Sequence, residues 1–187
     1  KESADFIRSF LISDKNGFLV TAPSMSPENG FYLHGDTSLR HVITYAPAID
    51  VQIIRELFKA IRSVSEEMNI SAEYLATLDE IEKSLPPTRI NHYGGIQEWI
   101  NDYQEEEPGH RHISQLFGLY PGTSLTGDSL FMQSSRKTIE HRLQYGGGHT
   151  GWSRAWMINF FARLNDGNTA YRNLEQLLIK STMSNLF

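Results

Sequence analysis

The chain has 187 residues, the size of one ordinary domain or half of a large one, and 17 lysines and arginines against 22 aspartates and glutamates give a formal net charge of −5. That acidic balance argues against a nucleic-acid partner, and 40% hydrophobic residues argue for a packed core rather than a disordered chain. The absence of cysteine excludes a disulfide framework, a thiolate metal site and a cysteine nucleophile; no run approaches the ~18 apolar residues of a membrane span, so no membrane partner is expected.

Residues 1–48 lack a long helical period and are punctuated by Asn16-Gly17, Pro23, Pro27, Asn29-Gly30, Gly35 and Pro47. A short helix is expected over 4–11 and an extended run over 18–21. From Asp50 onward, Ile54, Leu57, Phe58, Ile61, Val64 and Met68 recur at three- and four-residue steps. They predict an amphipathic helix capped by Asp50 or the residue before it. Ser71 opens a second helix carrying Leu75, Leu78, Ile81 and Leu85, stopped by Pro86-Pro87, and the short connection predicts an antiparallel hairpin.

Residues 86–127 are again irregular, apart from a short helix expected over 96–103. A third long helix is predicted over 129–144, ended by Gly146-Gly147-Gly148. A fourth, over 151–164, is apolar nearly all round and is expected to be buried. A fifth runs over 169–181. No strand series supports an alternating α/β or sandwich reading. The expected class is mainly α: helix hairpins with long functional loops, the grammar of a toroid, without a repeat of fixed period.

Several segments invite a chemical reading. His110-Arg111-His112 follows Glu105-Glu106-Glu107, but histidines at i and i+2 without a third ligand at a suitable offset fit a metal poorly. Hydrogen-bonding roles in a polar pocket suit them better, and no metal or cofactor is expected. Gly151-Trp152-Ser153-Arg154-Ala155 imitates a nucleophile elbow, yet no strand precedes it and no histidine follows His149. Ser153 reads instead as a residue serving backbone donors at a helix start. The glycine run lacks the Lys-Ser/Thr of a phosphate loop and reads as a helix stop.

Loop carboxylates are more informative. Glu28 lies between Pro27 and Asn29-Gly30, and Glu98, beside Trp99, stands four residues before Asp102, one face of a helical turn. Flat rings beside loop carboxylates suit a sugar site, where a pair of carboxyl groups performs the acid and base steps of glycoside cleavage.

Seven segments in register carry a resemblance. Three are Ser24-Met25-Ser26-Pro27-Glu28-Asn29, Asp50-Val51-Gln52-Ile53-Ile54-Arg55-Glu56-Leu57-Phe58 and Gly95-Ile96-Gln97-Glu98-Trp99-Ile100-Asn101-Asp102. The others are His110-Arg111-His112-Ile113-Ser114, Leu119-Tyr120-Pro121-Gly122, Thr150-Gly151-Trp152-Ser153-Arg154-Ala155-Trp156 and Asn185-Leu186-Phe187. From about residue 18 onward the chain resembles glycoside hydrolase family 95, the α-L-fucosidases that include inverting α-1,2-L-fucosidases.

The resemblance implies part of an (α/α)6 barrel, since twelve barrel helices need roughly twice this length. The whole chain, 1–187, is then one partial catalytic domain, a fragment or processed product whose partner is the remainder of that domain. It implies Glu28 as the general acid and places Glu98, Trp99, His110, His112 and Trp152 in the sugar pocket. The family's general base, an aspartate, is expected beyond Asn185-Leu186-Phe187, and its two water-orienting asparagines have no match here. Gln115 departs from the histidine expected after Ser114. The implied substrate is a fucosylated oligosaccharide or glycan and the implied location is secreted or periplasmic. The alternatives are an α-L-galactosidase of the same family or a non-catalytic helical carbohydrate-binding module. Should Glu28 prove dispensable, the acid role passes to Glu98.

Overall fold

The computed structural model describes residues 1–33, 36–183 and Asn185. Gly35, expected in a turn, and Leu186 and Phe187 of the last motif lie outside the described residues. The elements run α1 (Glu2–Phe10), β1 (Ile12–Ser13), β2 (Leu19–Val20), β3 (Phe31–Leu33), β4 (Asp36–His41), α2 (Ala48–Ser63), α3 (Ala72–Ser84), β5 (Gln104–Glu105), a 3-10 turn (Ser114–Leu116), α4 (Ser129–Gln144), α5 (Gly151–Arg163) and α6 (Gly167–Ser181). The fold is mainly helical, as the periodicity predicted.

Local chemistry sets most helix boundaries. The Ser71 hydroxyl accepts from the Tyr74 N–H, the Asp128 carboxylate from the N–H groups of Leu130 and Phe131, and Asp166 from the Thr169 N–H. At the end of α4 the glycine run behaves as expected. Gly146 has φ +87°, its N–H donates to the Leu143 carbonyl and that of Gly147 to the Arg142 carbonyl, closing the helix with a left-handed cap. Ser153, expected to serve the start of α5, is instead a recipient: Thr150 is the cap and accepts the Ser153 N–H at 3.1 Å.

Four expectations need correction. The helix expected over 96–103 does not form. Ile96 bridges Ile90, and its N–H donates to Thr138 Oγ1 at 2.8 Å; the Gln97 N–H donates to the Arg89 carbonyl. Backbone groups that a helix would pair internally are committed to distant partners. Asp50 does not cap α2. The helix begins at Ala48, and Asp50 turns to accept from Thr21 Oγ1 and Ser24 Oγ, both at 2.6 Å. Val64 and Met68 lie past the end of α2 and are exposed. The helix α5 is buried on one face only, by Ser153, Met157, Phe160 and Phe161, while Trp152 is 52% exposed.

Two small antiparallel sheets also exist, and of their strands only β2 falls in an extended run expected from the sequence, 18–21. In one, β1 pairs with β2; in the other, the order is β4-β3-β5, with Phe31 opposite both His41 and Glu105. Strand β4 is exposed at five of its six positions and β5 has two residues, so neither carries a readable alternation.

Two apolar clusters form the core. One joins Ile54, Phe58 and Ile61 of α2 to Leu78 of α3 and to Ala4, Val20 and Leu85. The other joins Ile139 of α4 to Met157, Phe160 and Phe161 of α5 and to Leu116, Leu119 and Leu125. Helices α2 and α3 form the predicted antiparallel pair: Arg55 donates to the Pro86 carbonyl near the end of α3, while Arg62, two turns later, reaches Asp79 and Glu82. The polar residues of α2 clamp loops. Gln52 accepts from the Gly118 N–H and donates to the Gln115 carbonyl, and Glu56 accepts from the N–H groups of Thr123 and Ser124.

Candidate active site

The segment 26–29, between β2 and β3, is sewn to the segment 98–114 at every residue. Ser26 Oγ donates to Glu98 Oε1 at 2.7 Å, and the Pro27 carbonyl accepts from Ser114 Oγ at 2.6 Å. Glu28 forms an ion pair with Arg111. Asn29, buried, exchanges two hydrogen bonds with the backbone of Glu107, accepting at 3.3 Å and donating at 3.4 Å. The loop carrying Glu28 is therefore fixed, although the Glu28 side chain itself is half exposed.

The segment His110–His112 approaches α4 closely. A side chain at Gly109 would place its Cβ 2.0 Å from the Tyr145 carbonyl oxygen, so only glycine fits there. His110 is 4% exposed, and its Nδ1 accepts the His112 N–H at 3.0 Å. That bond leaves Nε2 as the protonated nitrogen of a neutral ring. Burial pulls the His110 pKa down, assisted by the neighbouring His112 and Arg142 and opposed by Glu107. Burial also lowers that of His112, while Glu28 acts in the opposite sense. The His112 ring lies against Trp152, with centroids 4.7 Å apart, and Trp152 against Trp156 at 5.5 Å. These rings, with Pro27, Ile49 and Ile53, line an apolar groove of about 390 Å³ beside Glu28.

Of the residues singled out from the sequence, Glu28, His112 and Trp152 thus share one open region, and His110 braces it from behind. Glu98 and Trp99, expected in the sugar pocket, are in the interior of this structure, 3% and 4% exposed. Glu98 Oε2 accepts from Arg142 Nη2 at 2.7 Å and its other oxygen from Ser26. Burial raises the Glu98 pKa, against the pull of Arg142; Arg142 loses solvent too, but Glu98 and Glu105 hold it protonated. Asp102 turns away to the His92 N–H and ring, so the two acids do not share a face. Gln115 is fully buried, and its side-chain amide has no hydrogen-bond partner among the described residues.

Arg142 has no signal as an isolated letter. Its spacing does carry one: Ser135, Thr138, Ile139 and Arg142 fall at i, i+3, i+4 and i+7, and all four are fully buried. An arginine on the inward stripe of a helix requires carboxylate partners. Arg111, bracketed by the two histidines, was legible as part of the motif but not as the partner of Glu28.

The neutral state of His110 has a pH consequence. Its folded pKa lies below the ordinary value of 6.5, so the unfolded chain takes up the proton first as pH falls. The resulting stability is fully present above about pH 6.5 and is lost as pH drops through the folded value. We expect the thermal midpoint, followed by circular dichroism, to fall between about pH 7 and pH 5. His110→Asn, whose amide oxygen accepts the same N–H without titrating, should flatten that fall. An unchanged slope in the variant would remove His110 as its source.

Comparison with known proteins places the chain in a family. Residues 1–187 match the profile of the glycosyl hydrolase family 95 catalytic domain. The chain is 37% identical over 169 residues to alpha-L-fucosidase 2 of Arabidopsis thaliana, an alignment covering 89% of this chain and 20% of that protein. It is 31% identical over 195 residues to probable alpha-fucosidase A of Aspergillus niger, covering 93% of this chain and 22% of that protein. The corresponding Aspergillus oryzae protein is 30% identical over 175 residues, covering 84% and 22%. The chain therefore spans about a fifth of the length of these curated relatives.

Proposed function

The chain belongs to glycosyl hydrolase family 95, and from that premise we propose that it supplies the acid side of an inverting α-L-fucosidase site. The observation that carries this reading is that the Glu28–Arg111 pair directly follows Pro27 and directly precedes His112, two of the residues that line the groove together with Trp152. Trp152 and His112 offer ring faces for a pyranose and its apolar edge, and Arg111 holds the carboxyl group of Glu28 at the rim. In its carboxylic acid form Glu28 gives its proton to the leaving glycosidic oxygen as the bond to the anomeric carbon breaks. Water forms the new carbon–oxygen bond on the opposite ring face and passes its proton to a carboxylate base outside these residues. An inverting pair stands ~6.5–9.5 Å apart, leaving space for that water.

The same reading makes the chain one part of an (α/α)6 barrel completed by other helices. Two rows of exposed apolar side chains support this: Phe6, Phe10 and Ile12 at one end of the chain, and Tyr171, Leu174, Leu178 and Ile179 along α6. Enclosure of Glu28, which is half exposed here, then comes from the completed barrel. His110, Glu98 and Trp99 act behind the site as supports.

Proton NMR of 2′-fucosyllactose with the complete enzyme carrying this chain tests the proposal. β-L-Fucose is expected to appear first and then mutarotate. Initial release of the α anomer would overturn inversion. Release of L-galactose but not of L-fucose from the matching glycosides would move the assignment to an α-L-galactosidase. Binding without hydrolysis would leave a carbohydrate-binding module.

A further inference from the structure

We infer that Arg142 is a positioning residue for the proton donor, acting on the backbone at both sides of Glu28; this rests on the assignment of Glu28 as the acid. Arg142 stands in the last turn of α4 with no exposed surface. Its Nη2 donates to Glu98 Oε2 at 2.7 Å. Its Nη1 pairs with Glu105 and donates to the carbonyl oxygens of Pro108 at 3.0 Å and Glu107 at 3.2 Å.

Those acceptors are the anchors of the acid segment. Glu98 passes the constraint through Ser26 Oγ, two residues before Glu28, and Glu107 passes it through Asn29, one residue after. A single planar guanidinium therefore fixes the flanks of Glu28 through Glu98 and Glu107, which lie 44 and 35 residues before Arg142 in sequence. The fork geometry suits this task, because it sets two groups of acceptors at a fixed angle where a lysine holds one point.

Stability alone is a weak reason for the arrangement. Replacing a buried ion pair by well-packed apolar side chains is often neutral or stabilising, so a fully buried arginine with two carboxylates calls for another role. Here the role is geometric. A proton donor works only within hydrogen-bond reach of the leaving oxygen, and a displacement of about 1 Å costs on the order of 10²-fold in rate.

The experiment compares two substrates of the complete enzyme. Departure of the sugar alcohol from 2′-fucosyllactose needs a proton; departure of fluoride from the corresponding fucosyl fluoride needs far less help. Ser26→Ala removes only the hydroxyl link between Glu98 and the acid segment, and Arg142→Met removes the hub. On 2′-fucosyllactose we expect kcat to fall about tenfold for Ser26→Ala and about 10²-fold for Arg142→Met, with KM little changed. On the fluoride both should stay within about threefold, the proton-transfer contribution being small there. Equal loss on both substrates would reduce Arg142 to a structural residue. Should Arg142→Met fail to fold, Ser26→Ala decides the matter alone. Glu28→Gln runs beside them: if it lacks the split between substrates, the acid assignment fails. If it shows the split and the other two do not, only the inference about Arg142 fails.

Discussion

Glu28→Gln in the complete enzyme is expected to lower kcat on 2′-fucosyllactose by about 10²–10⁴-fold, the usual worth of a positioned general acid. That factor corresponds to roughly 2.7–5.5 kcal/mol of transition-state stabilisation. The amide keeps the shape of the carboxyl group but cannot donate an acidic proton. Folding should be untouched, because Glu28 is half exposed and its pairing with Arg111 is a surface contact worth at most about 1 kcal/mol. The fucosyl fluoride should be hurt far less. Near-normal turnover of 2′-fucosyllactose would refute the acid role. Glu98, the alternative acid, is enclosed, and its oxygens are engaged by Ser26 and Arg142.

Gln52→Leu is expected to destabilise the fold by about 2–6 kcal/mol, read as a drop in the denaturation midpoint by urea, with the unfolding slope unchanged. Gln52 is 2% exposed and stands on α2 within the first apolar cluster. Its side-chain amide nevertheless reaches into the second, accepting the Gly118 N–H at 2.7 Å and donating to the Gln115 carbonyl at 2.8 Å. Leucine fills similar space but leaves both backbone groups buried and unpaired, at about 1–3 kcal/mol each. Relaxation of the 115–118 turn is restricted, because a Cβ at Gly118 would already meet Ser124 Oγ at 2.4 Å. A loss below about 0.5 kcal/mol, the scale of an ordinary surface change, would show that water satisfies these groups and that the two clusters are not tied through Gln52.

The second prediction concerns a polar residue whose importance has no local signature. In the segment 50–58, the apolar positions announce an amphipathic helix at once. Its polar positions do not name their partners, yet Asp50 holds Thr21 and Ser24, Gln52 holds the 115–118 turn, and Glu56 holds Thr123 and Ser124. The mistaken helix over 96–103 has the same origin. Glu98 and Asp102 at i and i+4 suggest a shared face, but Thr138, Arg89 and Arg142 take the backbone and side-chain groups that would have made one.

The sequence by itself determined the mainly helical class, the extents of α4 and, within two residues, of α3, α5 and α6, and the caps at Ser71 and the glycine stop. Each of these is written within a few residues, because helical periodicity and capping are interactions between neighbours in the chain. Through its motifs it also marked Glu28, His110, His112 and Trp152. Tertiary structure alone decided that Glu98 and Trp99 lie inside, that Arg111 meets Glu28, and that Arg142 reaches the anchors on both flanks of Glu28. Those contacts join residues 72, 83 and 44 positions apart, and no local pattern records which distant partner a charged side chain will find once burial forces it to take one.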